Sequence, residues 1–71
     1  MTLRHLRPGQ TAEIMEIASA EAGRLMKLGA YGLVPGSTVR LEQQSPVCIV
    51  WVGETQLSLD HQVADEILVC V

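Results

Sequence analysis

The stretch Ser19-Ala-Glu-Ala-Gly-Arg-Leu-Met-Lys-Leu-Gly-Ala-Tyr-Gly-Leu-Val-Pro-Gly-Ser-Thr-Val39 decides the fold. It reads as one short helix, a glycine stop, a Pro-Gly turn and the start of a strand. Ser19 is the expected N-cap, because its hydroxyl can accept from a backbone N–H two or three residues on. Glu21 then falls in the first turn, where the helix dipole favours negative charge. Ala22, Leu25, Met26, Leu28 and Gly29 recur at three- and four-residue spacings and predict one apolar stripe. Arg24 and Lys27 lie off that stripe. Gly32 can adopt the left-handed conformation that ends a helix, and Pro35 follows too soon for the helix to resume.

Outward from this stretch the chain reads as short strands. Before it, Leu3 and Leu6 belong to a tie-down segment that turns at Pro8-Gly9. Thr11 to Ile17 is the first strand. Its apolar positions Ala12, Ile14 and Ile17 keep period two only as far as Ile14, which predicts a β-bulge near Met15-Glu16. After the helix, Val39 and Leu41 face inward while Arg40 and Glu42 face outward. Gln43 to Pro46 is a polar break. Cys48, Val50 and Val52 share one face of the next strand, and Ile49 and Trp51 share the other. Gly53-Glu54 is a hairpin turn, after which Leu57 and Leu59 alternate with Gln56 and Ser58. Asp60 caps a single helical turn through Ala64, and Ile67, Val69 and Val71 form the last strand.

With 71 residues, the chain has room for one domain, residues 1–71, near the lower limit for a self-supporting core. About five short strands with one helix after the first predict a mostly β fold, a small antiparallel barrel closed on itself. Closure removes exposed edges. An open α+β sheet with the helix on one face is the competing arrangement. The net charge of −3 and the scatter of Arg4, Arg7, Arg24, Lys27 and Arg40 argue against a nucleic-acid surface. No segment is long enough to cross a membrane, and the opening lacks a signal-peptide layout. Two cysteines make no disulfide framework, so a cytoplasmic protein with reduced thiols is expected.

The run Lys27-Leu28-Gly29-Ala30-Tyr31-Gly32-Leu33-Val34-Pro35-Gly36-Ser37 resembles the basic-Leu-x-x-apolar-Gly-Leu-x-Pro-Gly-small motif of FeoA proteins. The resemblance extends upstream through Leu3, Leu6, Pro8-Gly9, Ala12, Ile14 and Ile17. Downstream it takes in Val39, Leu41, Pro46, Leu57-Ser58-Leu59-Asp60, Ala64 and Ile67-Leu68-Val69. The chain departs at Lys27, where Arg is commoner, and at Tyr31, where Met or Leu is commoner. The resemblance implies an SH3-like β-barrel and a cytosolic accessory role in bacterial ferrous iron uptake. The partner it implies is FeoB, a membrane transporter with a cytosolic G-protein domain. A similar domain closes DtxR-type metal-dependent repressors, so a stand-alone metal-sensing or regulator-associated module is the alternative.

The residues carry no catalytic set, because a nucleophile needs an adjacent base and a group to orient it. No cofactor motif is present, and Gly9, Gly32, Gly36 and Gly53 have turn or cap duties. His5, His61, Cys48 and Cys70 are the candidate metal ligands. Only His61 has carboxylates nearby, in Asp60-His61-x-x-x-Asp65. Ligand sets need three or four converging groups, so Asp60 is read as a cap and no metal site is assigned. A protein-binding surface remains, with Arg24, Met26, Lys27, Tyr31, Leu33 and Trp51 as its candidate residues. Tyr31 and Trp51 either form a minor second core under the helix or rim an apolar groove with Arg24 and Lys27 at its margins.

Overall fold

The computed structural model describes residues 1–19 and 21–71. A 3₁₀ turn at Leu3–His5 precedes β1 (Thr11–Ile17), α1 (Ala22–Ala30), β2 (Thr38–Gln43), β3 (Cys48–Val52), β4 (Thr55–Leu59), α2 (His61–Asp65) and β5 (Ile67–Cys70). The strands form one antiparallel sheet in the order β4-β3-β2-β1-β5.

Period-two alternation places the core. Val39 and Leu41 are buried between the exposed Thr38, Arg40 and Glu42, and Cys48 and Val50 face them from β3. Ala12 and Ile14 enter the core from β1, and Ile67 and Val69 from β5. The expected bulge in β1 is present, since its register against β5 shifts between Ile14 and Glu16. A second shift, between Leu41 and Gln43, bends β2 against β3. Such bulges add the twist that wraps a small sheet around its core.

Leu28, Leu33 and the Pro-Gly turn form one device. The N–H of Leu33 donates to the Leu28 carbonyl and the N–H of Gly32 to the Gly29 carbonyl, both at 3.0 Å. With Gly32 at φ +90°, this is a Schellman closure, and Leu28 and Leu33 make its accompanying apolar contact within the core. A β-turn follows. The Ser37 N–H donates to the Val34 carbonyl at 3.0 Å, with Pro35 and Gly36 (φ +95°) at the two central positions, as a type II turn requires. The Gly36 N–H donates to the Ile14 carbonyl at 2.7 Å and the Ile14 N–H to the Ser37 carbonyl at 2.8 Å. The Ser37 hydroxyl returns to the Gly32 carbonyl at 2.8 Å. The helix exit is thereby tied to the middle of β1.

Several expectations need correction. The sheet is not closed into a barrel, because β4 and β5 are its edges and do not pair with each other. The outer side of β5 is instead covered by the start of the chain. Thr2 bridges Leu68, and the Val69 N–H donates to the Met1 carbonyl at 2.8 Å. The Ser19 hydroxyl does accept from the Glu21 N–H at 3.3 Å, but Glu21, not Ser19, precedes the first helical residue. Ala20 lies outside the described residues. The apolar stripe of α1 does not bury as a stripe. Only Leu28 is buried, while Ala22, Leu25 and Met26 stay exposed. One leucine and a C-terminal closure hold this helix, so its period-3.6 pattern overstates the surface it covers. In β5, Val71 lies beyond the strand and is exposed rather than inward.

At Gly32 the positive φ is costly for any residue with a Cβ, and that Cβ would lie 3.4 Å from a Val52 methyl. Gly32→Ala should therefore destabilise by about 1–2 kcal/mol. Leu33→Ala, which empties a fully buried site, should destabilise by about 2–5 kcal/mol. Urea melts read both values, and unchanged midpoints would refute the closure as a structural anchor. A second prediction concerns the thiols. Cys48 is buried and Cys70 exposed, and burial pushes the Cys48 thiol up. One thiol, at Cys70, should react with a disulfide reagent in the native protein, and Cys48 only after denaturant is added.

Candidate partner-binding groove

Between α1 and β4 lies an open groove of about 580 Å³. One wall is α1, which contributes Arg24, Lys27, Leu28 and Tyr31. The other is the whole of β4, Thr55 to Leu59, and the end is closed by Asp60 and Val63 of the α2 turn. Leu28, Leu57 and Val63 give it an apolar floor, with Leu57 and Val63 only half-buried.

The walls are held by contacts between distant segments. Arg24 donates to Glu66, the residue that closes α2, at 2.6 Å, and lies 3.7 Å from Glu21. The Glu66 hydrogen bond, which also raises the Arg24 guanidinium above its ordinary value, ties α1 to the end of α2. Asp60 is engaged as well, accepting from the Val63 N–H at 2.8 Å to cap α2 as expected. Lys27 is exposed on the groove wall and, among the described residues, has no carboxylate within ion-pair distance. Tyr31, 46% exposed, closes the wall at the helix exit.

Arg24, Lys27 and Tyr31 thus stand together on the groove, and the remaining three proposed surface residues do not join them. Met26 is 77% exposed on α1 but does not line the groove. Leu33 is fully buried, because the Schellman closure turns its side chain into the core, so it supports the groove from below and offers no surface. Trp51 neither rims the groove with Tyr31 nor sits beneath the helix. It lies opposite Arg40 on β2, with its ring 6.0 Å from the Arg40 guanidinium and its indole N–H donating to Glu42 at 3.4 Å. Strand parity placed it outward, and the helix covers a different region. Sequence reasoning missed the β4 wall, whose Thr, Gln and Ser residues carry no signal of their own.

The metal candidates are dispersed. His61 Nε2 meets the Gln44 carbonyl at 3.2 Å, and Asp65 pairs with Arg4 at 3.0 Å. His5 Nδ1 accepts from the Thr2 N–H at 3.0 Å. Gln44 in turn donates to the carbonyls of Arg4 and Leu6, so these groups bind the opening segment to α2. Among the described residues no three His, Cys, Asp or Glu side chains converge. Among the described residues, no helix is long and apolar enough to cross a membrane.

Comparison with known proteins follows the fold. The family model for the FeoA domain matches residues 1–71. No curated protein sequence matches the chain. Among solved structures, Stenotrophomonas maltophilia FeoA, a prokaryotic SH3 domain protein complexed with zinc, is similar at 28% identity and a TM-score of 0.84. The match covers 99% of this chain and 89% of that one. Chlorobium tepidum FeoA is similar at 26% identity and a TM-score of 0.89, covering 97% of this chain and 68% of its own. T. acidophilum IdeR is similar at 27% identity and a TM-score of 0.91, with all of this chain matched to 33% of the longer protein. The five-stranded sheet is therefore SH3-like, and the Leu28-to-Ser37 device lies inside the matched residues. Matched along its whole length, the chain belongs to the FeoA family.

Proposed function

We propose that this chain is a non-enzymatic, single-module accessory protein of ferrous iron uptake, working in the cytoplasm and docking on a FeoB-type transporter. Membership of the FeoA family links the chain to ferrous iron transport. The observation that carries the docking role is the groove between α1 and β4, an apolar floor of Leu28, Leu57 and Val63 with the polar margins Lys27 and Tyr31. Lys27 and Tyr31 are its contact residues, Arg24 holds its shape, and Met26 extends the same helix surface beyond it. Met suits adaptable apolar contact there.

The likeness to IdeR favours a second reading, a module that associates with a metal-dependent regulator. This chain corresponds to one third of that protein, so only the shared domain is comparable.

The two readings part in a binding experiment. Purified protein is titrated against the cytosolic G-domain and the full-length form of a cognate ferrous transporter, with and without nucleotide. Saturable binding is expected, and Tyr31→Ala combined with Lys27→Glu should weaken it about tenfold or more, ~1.4 kcal/mol, with the fold intact. Absence of binding to either form in every nucleotide state would refute the transporter as partner. Capture of a DNA-binding regulator would then favour the second reading.

A further inference from the structure

Every edge of a sheet is a row of backbone donors and acceptors that must be covered, blunted or used. This protein treats its two edges differently. Beside β5, Thr2 bridges Leu68 and the Val69 N–H is bonded to Met1. β4 has no such cover. It carries no charged residue, no proline and no bulge, since its register against β3 runs unbroken from Val52↔Thr55 to Cys48↔Leu59. These are among the devices by which edges ordinarily repel an extra strand, and β4 has none of the three.

The hairpin register identifies the groups left over. Val52 and Thr55 close a two-residue turn and so form a hydrogen-bonded pair. Antiparallel pairs alternate, which makes Val50–Leu57 and Cys48–Leu59 bonded and Trp51–Gln56 and Ile49–Ser58 non-bonded. The N–H and C=O of Gln56 and of Ser58 therefore point away from β3. Among the described residues they have no hydrogen-bond partner, and Gln56 and Ser58 both line the groove. A strand laid there would run beside β4 at about 4.8 Å, with α1 over it and Leu57 and Val63 against its inward side chains.

We propose that the β4 edge accepts an extended segment of a partner protein as an added strand, with a carboxylate of that segment meeting Lys27. This deepens the docking reading of the same groove and rests on it for the partner's identity. Backbone pairing gives such a strand its affinity, and alternate side chains give it specificity. Charge sets the chemistry of the segment. Arg24 and Asp60 already have partners, so Lys27 is the cation left on the wall for an incoming acid. A second copy is the poorer occupant. Its own β4, Thr55-Gln56-Leu57-Ser58-Leu59, has no carboxylate within the strand, Glu54 before it belongs to the hairpin turn and Asp60 after it caps α2, and each copy carries a net charge of −3.

The probe is a synthetic peptide, acetyl-Glu-Val-Thr-Val-Glu-amide, with its lysine-for-glutamate counterpart as control. Isotope-labelled protein is titrated with each while amide hydrogen exchange is followed residue by residue. The acidic peptide should slow exchange at Gln56 and Ser58 at least fivefold and bind several-fold tighter than the lysine peptide, a preference that Lys27→Glu reverses. Ser58→Pro removes one outward N–H, a position where an edge strand tolerates proline, and should abolish protection at Gln56 while the β3 amides stay protected. If that variant unfolds, wild-type exchange and Lys27→Glu still decide. Unchanged exchange at Gln56 and Ser58 with millimolar acidic peptide overturns the added strand. Concentration-dependent dimers that protect these amides without peptide assign the edge to a second copy and also overturn it. In the transporter titration, a complex that leaves both amides unprotected refutes the strand and keeps the transporter. Peptide-induced protection without a transporter complex does the reverse.

Discussion

The hydrogen bond from the Leu33 N–H to the Leu28 carbonyl is the constraint on which the rest of this structure depends. It forces the chain out of α1 through the left-handed conformation at Gly32, and in doing so drives two leucines into the core side by side. A domain of this size is stabilised by only about 4–10 kcal/mol in total. Two leucine burials, at about 1.5–3 kcal/mol each, are a large part of that. The Pro35-Gly36 turn then delivers the chain to β2 and is pinned to Ile14 on both sides, so the helix cannot drift relative to the sheet.

That anchoring also explains why α1 can be so lightly packed elsewhere. Its C-terminal end is fixed by the closure, and its N-terminal half by Arg24 reaching Glu66 across 42 residues of sequence. Between these two points the helix stands off β4, and the gap is the groove. The groove side of α1 is formed by Arg24, Lys27, Leu28 and Tyr31, while Ala22, Leu25 and Met26 remain exposed outside it.

Much of the fold was legible in the sequence. The glycine stop, the Pro-Gly turn, the slip in β1, the two-residue hairpin and the Asp60 cap were all readable from single residues and their spacing, and each is present. Of the proposed surface, Arg24, Lys27 and Tyr31 meet on one groove, although parity and helical period said nothing of its second wall. Leu33 was read as surface because it follows the helix exit, and the closure that buries it is a backbone event its own side chain does not announce. Trp51 was correctly placed facing away from Cys48, Val50 and Val52, but which element lies on that side is not a property of the strand.

The sequence by itself determined the local conformations, because these follow from what a residue's own backbone and side chain allow. Only glycine takes φ +90° cheaply at Gly32, proline presets Pro35, and alternation sorts Val39 and Leu41 from Arg40 and Glu42. Tertiary structure decided the rest: that the sheet stays open, that Met1 and Thr2 cover one edge, and that α1 leaves the other edge bare beside Lys27. Those outcomes depend on where segments far apart in the chain come to lie. That is settled by packing and pairing between them, and no local pattern encodes it.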